Sequence, residues 1–298
     1  MDLLSKIGIG AKMGQAVHSE HTASLDESVF YDLRDIIYQA SGIYLNDQKK
    51  YLIETRLGGR LKELQLKNFQ EYLNLLKQPG QGEELHILLD NITVNETSFF
   101  RNPPQIKAFE EVIFPQVVEN AQKNKLATIR ILSAGCSSGE EAYTLAMILL
   151  KKFPHVLKQF KVDIIGVDIN REVLQQAVQG HFSKFSIRNV PEDYLREFFK
   201  PSGTGFQIDD RIRSMARFFK GNISDVSQMS KLGKFSIIFC RNVLIYFDRE
   251  SKKKTLQNFY NMLHPQGYLF IGHSESLHGI SQAFKIILLN KAIVYQHP

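Results

Sequence analysis

IRILSAGCSSGEEAYTLA, residues 129–146, reads as a strand, a glycine loop and the start of a helix. The apolar run IRILSA is the length of one buried strand. Gly135 and Gly139 let the chain turn sharply and let a ligand approach the backbone closely. Glu140 and Glu141 then open the helix. Such a loop marks the ligand end of a doubly wound fold but does not by itself choose the ligand. The two acids narrow the choice. Carboxylates at a helix N-terminus interact well with the macrodipole, yet they repel a phosphate. The spacing is also G-x-x-x-G, which differs from the dinucleotide fingerprint. A ligand carrying positive charge fits better, although capping of the first turn by acids is a sufficient local explanation.

Working outward, KVDIIGVD, FSIIFC and GYLFIGH are further short runs rich in β-branched and aromatic residues. Helical patterns separate them, which predicts a mostly parallel sheet with helices on both faces. FKIILLNKAIVYQ closes the chain as a hairpin turning at Asn290. Asp168 ends the second strand, where an acid accepts the two hydroxyls of a ribose. KGNISD places Asn222 and Ile223 where an amide and an apolar side chain can border an adenine. Loop, paired acids, Asp168 and Asn222 in this order are much more specific than any one of them.

Residues 26–92 have a different texture. LDESVFYDLRDIIYQASGI has apolar residues at helical spacing and Gly42 as its C-cap. NDQKKYLIETRLGGRLKELQ follows, with Asn46 or Asp47 as its cap and Gly58-Gly59 as a place where the helix can break. NFQEYLNLLKQ and EELHILLDNIT complete a helical domain. Between Asp26 and Phe100 there are eight Lys/Arg against twelve Asp/Glu, so the net charge of +6 is not spread as a polyanion-binding surface would require. The basic residues cluster between Lys49 and Lys67. On a helical wheel Lys49, Arg56, Arg60 and Lys67 fall on one ridge, beside Ile53, Leu57, Leu61 and Leu64. That ridge suits an acidic helix, or is a solvated charged face.

The composition, 43% apolar and 23% charged, is that of a globular protein able to build a core without staples. Cys136 and Cys240 lie far apart and outside any metal-ligand spacing, so neither a disulfide nor a metal site is expected. No apolar run approaches the ~20 residues of a membrane span, and Met1–Ser24 lacks a secretory signal. A cytoplasmic protein with a flexible tail at 1–25 is the expectation.

NETSFFR, SAGCSSGEEAYTLAM, VDIN, GNISD, FCRNVLIYFD and GHSES occur in that order. In this the chain resembles the CheR-type chemoreceptor methyltransferases over roughly residues 26–296. The resemblance implies an S-adenosylmethionine-dependent protein-glutamate O-methyltransferase. Its expected fold is α/β: a helical N-terminal domain at 26–92, a linker and cofactor-covering segment at 93–127, and a Rossmann-like methyltransferase domain at 128–298. A small β-subdomain insert is expected at about 181–219. The implied cofactor contacts are Asn95, Thr97, Arg101, Glu141, Asp168, Asn222, Ile223, Asn242 and Val243, to which the loop reading adds Gly135, and S-adenosylhomocysteine is the product. Arg101, Arg241 and Tyr246 correspond to residues around the reacting centre, and Lys49, Arg56 and Arg60 offer a substrate surface. The expected partners are the cytoplasmic helices of methyl-accepting chemoreceptors, with no nucleic acid, no membrane insertion and a monomeric enzyme.

The chain has Ala142 where the family commonly has proline after the paired acids. The loop following GTG in the insert is short, so gripping of a receptor C-terminal pentapeptide is not expected. A carboxylate nucleophile, with an ordinary pKa of ~4.3, is already ionised at neutral pH and needs no catalytic base. His273 in GHSES is therefore read as structural. Either arginine has a plain alternative, an ion pair with Glu96 or Asp248. Two other functions remain beside the main one. Asn102-Pro103-Pro104-Gln105 resembles the motif of amino-methylating nucleic-acid enzymes, but lacks the aromatic that stacks a flipped base, and Pro-Pro more simply starts a helix. A regulatory module that binds the cofactor without turnover is the second.

Overall fold

The computed structural model describes residues 24–298. The expected tail at 1–25 therefore lies outside the described residues except at its end, where Leu25 is fully buried. Its backbone N–H donates to Glu54 at 3.1 Å, so ordered chain begins before residue 26.

The first domain is built of α1 (Glu27–Ser41), α2 (Lys50–Glu63), α3 (Phe69–Leu76) and α4 (Gly82–Ile92). Gly42 ends α1 in the left-handed conformation, as the sequence indicates. Asn68 caps α3 by accepting the Glu71 N–H. Neither Asn46 nor Asp47 caps α2 through its side chain; a 3-10 turn over Asp47–Lys49 leads into it instead. Gly58 and Gly59 do not break α2. Ile53, Leu57 and Leu61 are buried on one face, and this packing outweighs the ~1 kcal/mol that each glycine costs.

Residues 93–127 differ from the expected linker. After an irregular strap, α5 (Pro103–Ala108), a π-helical turn (Phe109–Ile113) and α6 (Phe114–Lys123) run as one rod. Pro103 and Pro104 start it. Phe99, Phe109, Ile113 and Phe114 are fully buried in the core of the second domain, so the segment belongs to that domain.

The main sheet has seven strands. β1 (Thr128–Ala134), β2 (Lys161–Asp168), β6 (Ala216–Lys220), β7 (Phe235–Cys240) and β8 (Leu263–Ile271) are parallel, and β9 (Lys285–Leu289) and β10 (Ala292–Gln296) are antiparallel. The order is β6-β2-β1-β7-β8-β10-β9, with the topological switch between β1 and β7. α7 (Glu140–Lys152) follows β1, α8 (Arg171–Gln179) follows β2 and α9 (Arg249–Met262) precedes β8. Cores on both faces bury the strands, which is why they read as near-continuous apolar runs.

A separate antiparallel sheet of β3 (His181–Phe182), β5 (Gly205–Ile208) and β4 (Phe199–Ser202) forms the insert. Its strands end at 208. Residues 216–219, expected inside the insert, pair with β2 as the edge of the main sheet.

Candidate active site

The carboxyl ends of β1, β2 and β7 meet the helical domain at a cleft of about 520 Å³, within the size range of small-ligand sites. Ser41–Leu45 and Lys49 of the helical domain and the strap from Ile92 to Ser98 close it over. The domains are clamped on both sides. Tyr44 N–H donates to the Tyr246 carbonyl at 2.9 Å and Tyr38 Oη to Asp248 at 3.2 Å. Opposite, Asn170 donates to the Asp90 carbonyl and to Thr93, and Arg171 pairs with Asp90.

The glycine loop forms the floor. Gly135 has φ +73°, and a Cβ there would lie 2.4 Å from Val243 Cγ2. Only glycine lets the loop and Val243 approach this closely. Asp168, at the end of β2, accepts the N–H groups of Ser137 (2.8 Å) and Asn170 (3.0 Å). Ser137 Oγ donates to the Asn95 carbonyl at 2.9 Å, tying the strap to the loop. Ser133 Oγ donates to Glu141 at 2.6 Å. Phe100, Asn102, Ser137 and Asn242 are all left-handed non-glycine residues around this region, a concentration typical of functional sites.

The electrostatics are unbalanced. Glu141 and Asp168, which line the cleft, and Glu140, buried beside them but outside its lining, are held above the usual carboxylate range, in each case chiefly by burial, with hydrogen bonds or Arg241 opposing it only in part. Against these stands one buried guanidinium, Arg241, which is 3.5 Å from Glu141 and donates to the Arg101 carbonyl. Arg241 Nε has no protein acceptor among the described residues. Buried polar groups are normally satisfied, so the surplus of carboxylate and the orphan donor fit a ligand that carries both a cation and an acceptor. S-adenosylmethionine, with its sulfonium, ammonium and carboxylate, has that character.

All the residues expected to contact the cofactor line this one cleft: Asn95, Thr97, Arg101, Gly135, Glu141, Asp168, Asn222, Ile223, Asn242 and Val243. Arg241 and Tyr246, from the expected reacting centre, line it too. Burial pushes the Tyr246 phenol up, so it is a donor at neutral pH. Asn222 differs in its side chain. Its amide donates to the Ala40 carbonyl at 2.9 Å and its oxygen accepts from Ser224, so the amide anchors α1 and leaves chiefly its backbone for a ligand. The expected ion pairs of the arginines also change. Arg101 donates to the Glu96 carbonyl and not to its carboxylate, Arg241 pairs with Glu141, and Asp248 caps α9.

The residues of the basic ridge divide in their contacts. Arg60 forks onto Glu84 at 2.6 and 3.1 Å and also reaches Glu63, and it does not line the cleft. Arg56 is turned inward, donating to the carbonyls of Asn91, Ile92 and Thr93 at the end of α4. Their charge closes the helical domain upon itself. Of the three residues offered as a substrate surface, only Lys49 is exposed and at the cleft.

Glu275 escaped the sequence reading. It lies in the quoted GHSES, and its carboxylate accepts from Asn242, Ile245 and Gly272. The one available signal was an acid just past a strand end facing a second motif.

Among the described residues, no helix is long and apolar enough to cross a membrane and no cluster is arranged to hold a metal. Residues 95–293 match the CheR methyltransferase SAM-binding domain, and residues 28–93 the CheR methyltransferase all-alpha domain. A chemotaxis protein methyltransferase of Vibrio cholerae is 37% identical over 275 residues, covering 92% of this chain and 94% of that protein. One from Borreliella burgdorferi is 39% identical over 249 residues, covering 82% of this chain and 86% of that one.

Proposed function

The chain belongs to the CheR methyltransferase family, and from that premise we propose that it esterifies glutamate side chains on the cytoplasmic helices of chemoreceptors. The observation that carries this is the joining, in one cleft, of the buried acids Glu141 and Asp168 with Arg101, Arg241 and Tyr246. The first pair suits S-adenosylmethionine; the second set suits an anionic acceptor.

When bound, S-adenosylmethionine supplies a methyl group already activated on a sulfonium. Glu141 and Asp168 bind the cofactor's ammonium and ribose ends, and Gly135 and Val243 shape its bed. The strap at 93–101 covers it and excludes water. Arg101 or Arg241 orients a carboxylate through a forked hydrogen bond, and Tyr246 offers its hydroxyl to one oxygen. The acceptor arrives ionised, so the rate comes from positioning and from a dry site that favours charge neutralisation. No base is required. Exposed Lys49 at the mouth offers a contact for acidic receptor helices.

The β4–β5 hairpin turns through Gly203 and Thr204 alone. This short turn supports a receptor recognised without its C-terminal peptide; deleting that peptide is expected to change the rate little.

The test is transfer of labelled methyl from S-adenosylmethionine to receptor cytoplasmic fragments. Label that base releases as methanol supports the proposal. Label in nucleic acid, or cofactor binding without transfer, contradicts it.

A further inference from the structure

Glu275 does not line the cleft, yet its carboxylate organises the loop that does. Oε2 accepts from Asn242 N at 3.1 Å and Gly272 N at 2.5 Å, and Oε1 accepts from Ile245 N at 3.0 Å. Its own N–H donates to the Gly272 carbonyl at 2.9 Å. Cys240 and Ile271, the last residues of β7 and β8, are paired in the sheet. One side chain thus bolts together the ends of two adjacent parallel strands and gathers three backbone donors, as an anion does in a backbone nest.

The loop held this way is Arg241–Tyr246. It contributes Arg241, Asn242, Val243 and Tyr246 to the cleft. Asn242 has φ +60°, a conformation that a non-glycine residue holds only when its surroundings enforce it. Glu275 grips its N–H. Ile245 N–H is a first-turn donor of the 3-10 turn Leu244–Tyr246, which has no partner within so short a turn. Gly272 completes the arrangement, because a Cβ there would meet Glu275 Oε2 at 2.7 Å and Asn242 N at 2.9 Å. Burial holds the Arg241 guanidinium below its ordinary value, opposed by Glu141 and, less, by Glu275.

We propose that Glu275 is a positioning residue for methyl transfer, which fixes Arg241 and Tyr246 in their working geometry by holding the backbone of residues 242–245. This rests on the function proposed above. A Glu275→Gln change is isosteric but places an amide N–H₂ against backbone donors on one side. It is expected to lower kcat on receptor fragments about 10- to 100-fold, with a smaller loss, about 3-fold, in affinity for S-adenosylhomocysteine. Amide exchange of residues 241–246 is expected to rise while the rest of the sheet stays protected. Combined with Tyr246→Phe, the losses should not multiply, because both act through one loop.

A role in stability alone predicts the opposite pattern: a lower melting temperature, with kcat and product affinity kept within two-fold below the melt, and independent effects in the double variant. That result overturns the proposal. Should Glu275→Gln not fold, Gly272→Ala displaces the same carboxylate and is judged by the same readouts. If the unaltered protein esterifies no glutamate, the functional reading fails by itself. Glu275 is then judged by product binding and amide exchange, and no change in either overturns the positioning role.

Discussion

The floor of the cleft and helix α2 both carry dense charge, and they use it in opposite ways. On α2 each arginine has protein acceptors: three carbonyls for Arg56, two carboxylates for Arg60. Burial would raise the Glu84 carboxyl, but hydrogen bonds from Arg60 and Tyr72 outweigh it and hold it below its ordinary value. In the cleft, burial wins, and Glu141 and Asp168 stay raised. Charge that is buried and compensated belongs to the fold. Charge that is buried and uncompensated is kept for a ligand.

The largest effect is expected at Asp168. An Asp168→Ala variant loses the acceptor for two buried N–H groups along with the expected ribose contact. Calorimetry should show cofactor affinity falling about 100-fold. An affinity within three-fold of the unaltered protein would place the ligand elsewhere.

Arg60→Ala should do the reverse. It strands the Glu84 carboxylate, which is 6% exposed. Denaturant unfolding should show a loss of about 2 kcal/mol, below the ~3–5 of a fully buried pair because the arginine keeps partial solvent contact. Cofactor affinity should stay within two-fold. Glu84 has a depressed pKa, so its contribution is present above the ordinary carboxylate range and is lost as pH falls through the lowered folded value. The unaltered helical domain should therefore weaken in acid, and the variant should weaken less.

Glu141→Gln sharpens the contrast within the cleft. It keeps an acceptor for Ser133 but removes the charge, and titration should give about a ten-fold loss of affinity. The smallest effect is expected at the mouth. Exposed Lys49 changed to Glu should raise the KM for receptor fragments about three-fold, with that difference fading at high salt. A change in kcat instead would move Lys49 from docking into chemistry.

Patterns confined to one element were legible in the sequence. The strand–loop–helix at 129–146, the alternation of strands and helices, the α1 C-cap and the acids of the glycine loop all follow from local rules. Partners brought from afar were not. Glu84 lies 24 residues from Arg60, Ala40 lies 182 from Asn222, and Glu275 lies 33 from Asn242. Nothing local in α2 tells a basic ridge that meets a partner from one that folds back on α4. The helical rod within 93–127 is hard to read for a related reason. Its phenylalanines are spaced irregularly around a π turn, and only the sheet shows where they are buried. The residues named by resemblance gather in one cleft because whole motifs, and not single side chains, mark it.

The raised carboxyls give the most direct test of why that cleft exists. For groups with a folded pKa above the unfolded one, the unliganded protein is favoured by protonation, and the associated stability is lost as pH rises through the folded value. A cation binds the ionised form. Titration of S-adenosylmethionine between pH 7 and pH 5, in buffers of differing ionisation enthalpy, reads both affinity and protons exchanged. Affinity is expected to fall several-fold on acidification, with protons released on binding at the acid end, and Glu141→Gln is expected to give a flatter profile. Affinity independent of pH, with no proton release, would contradict it.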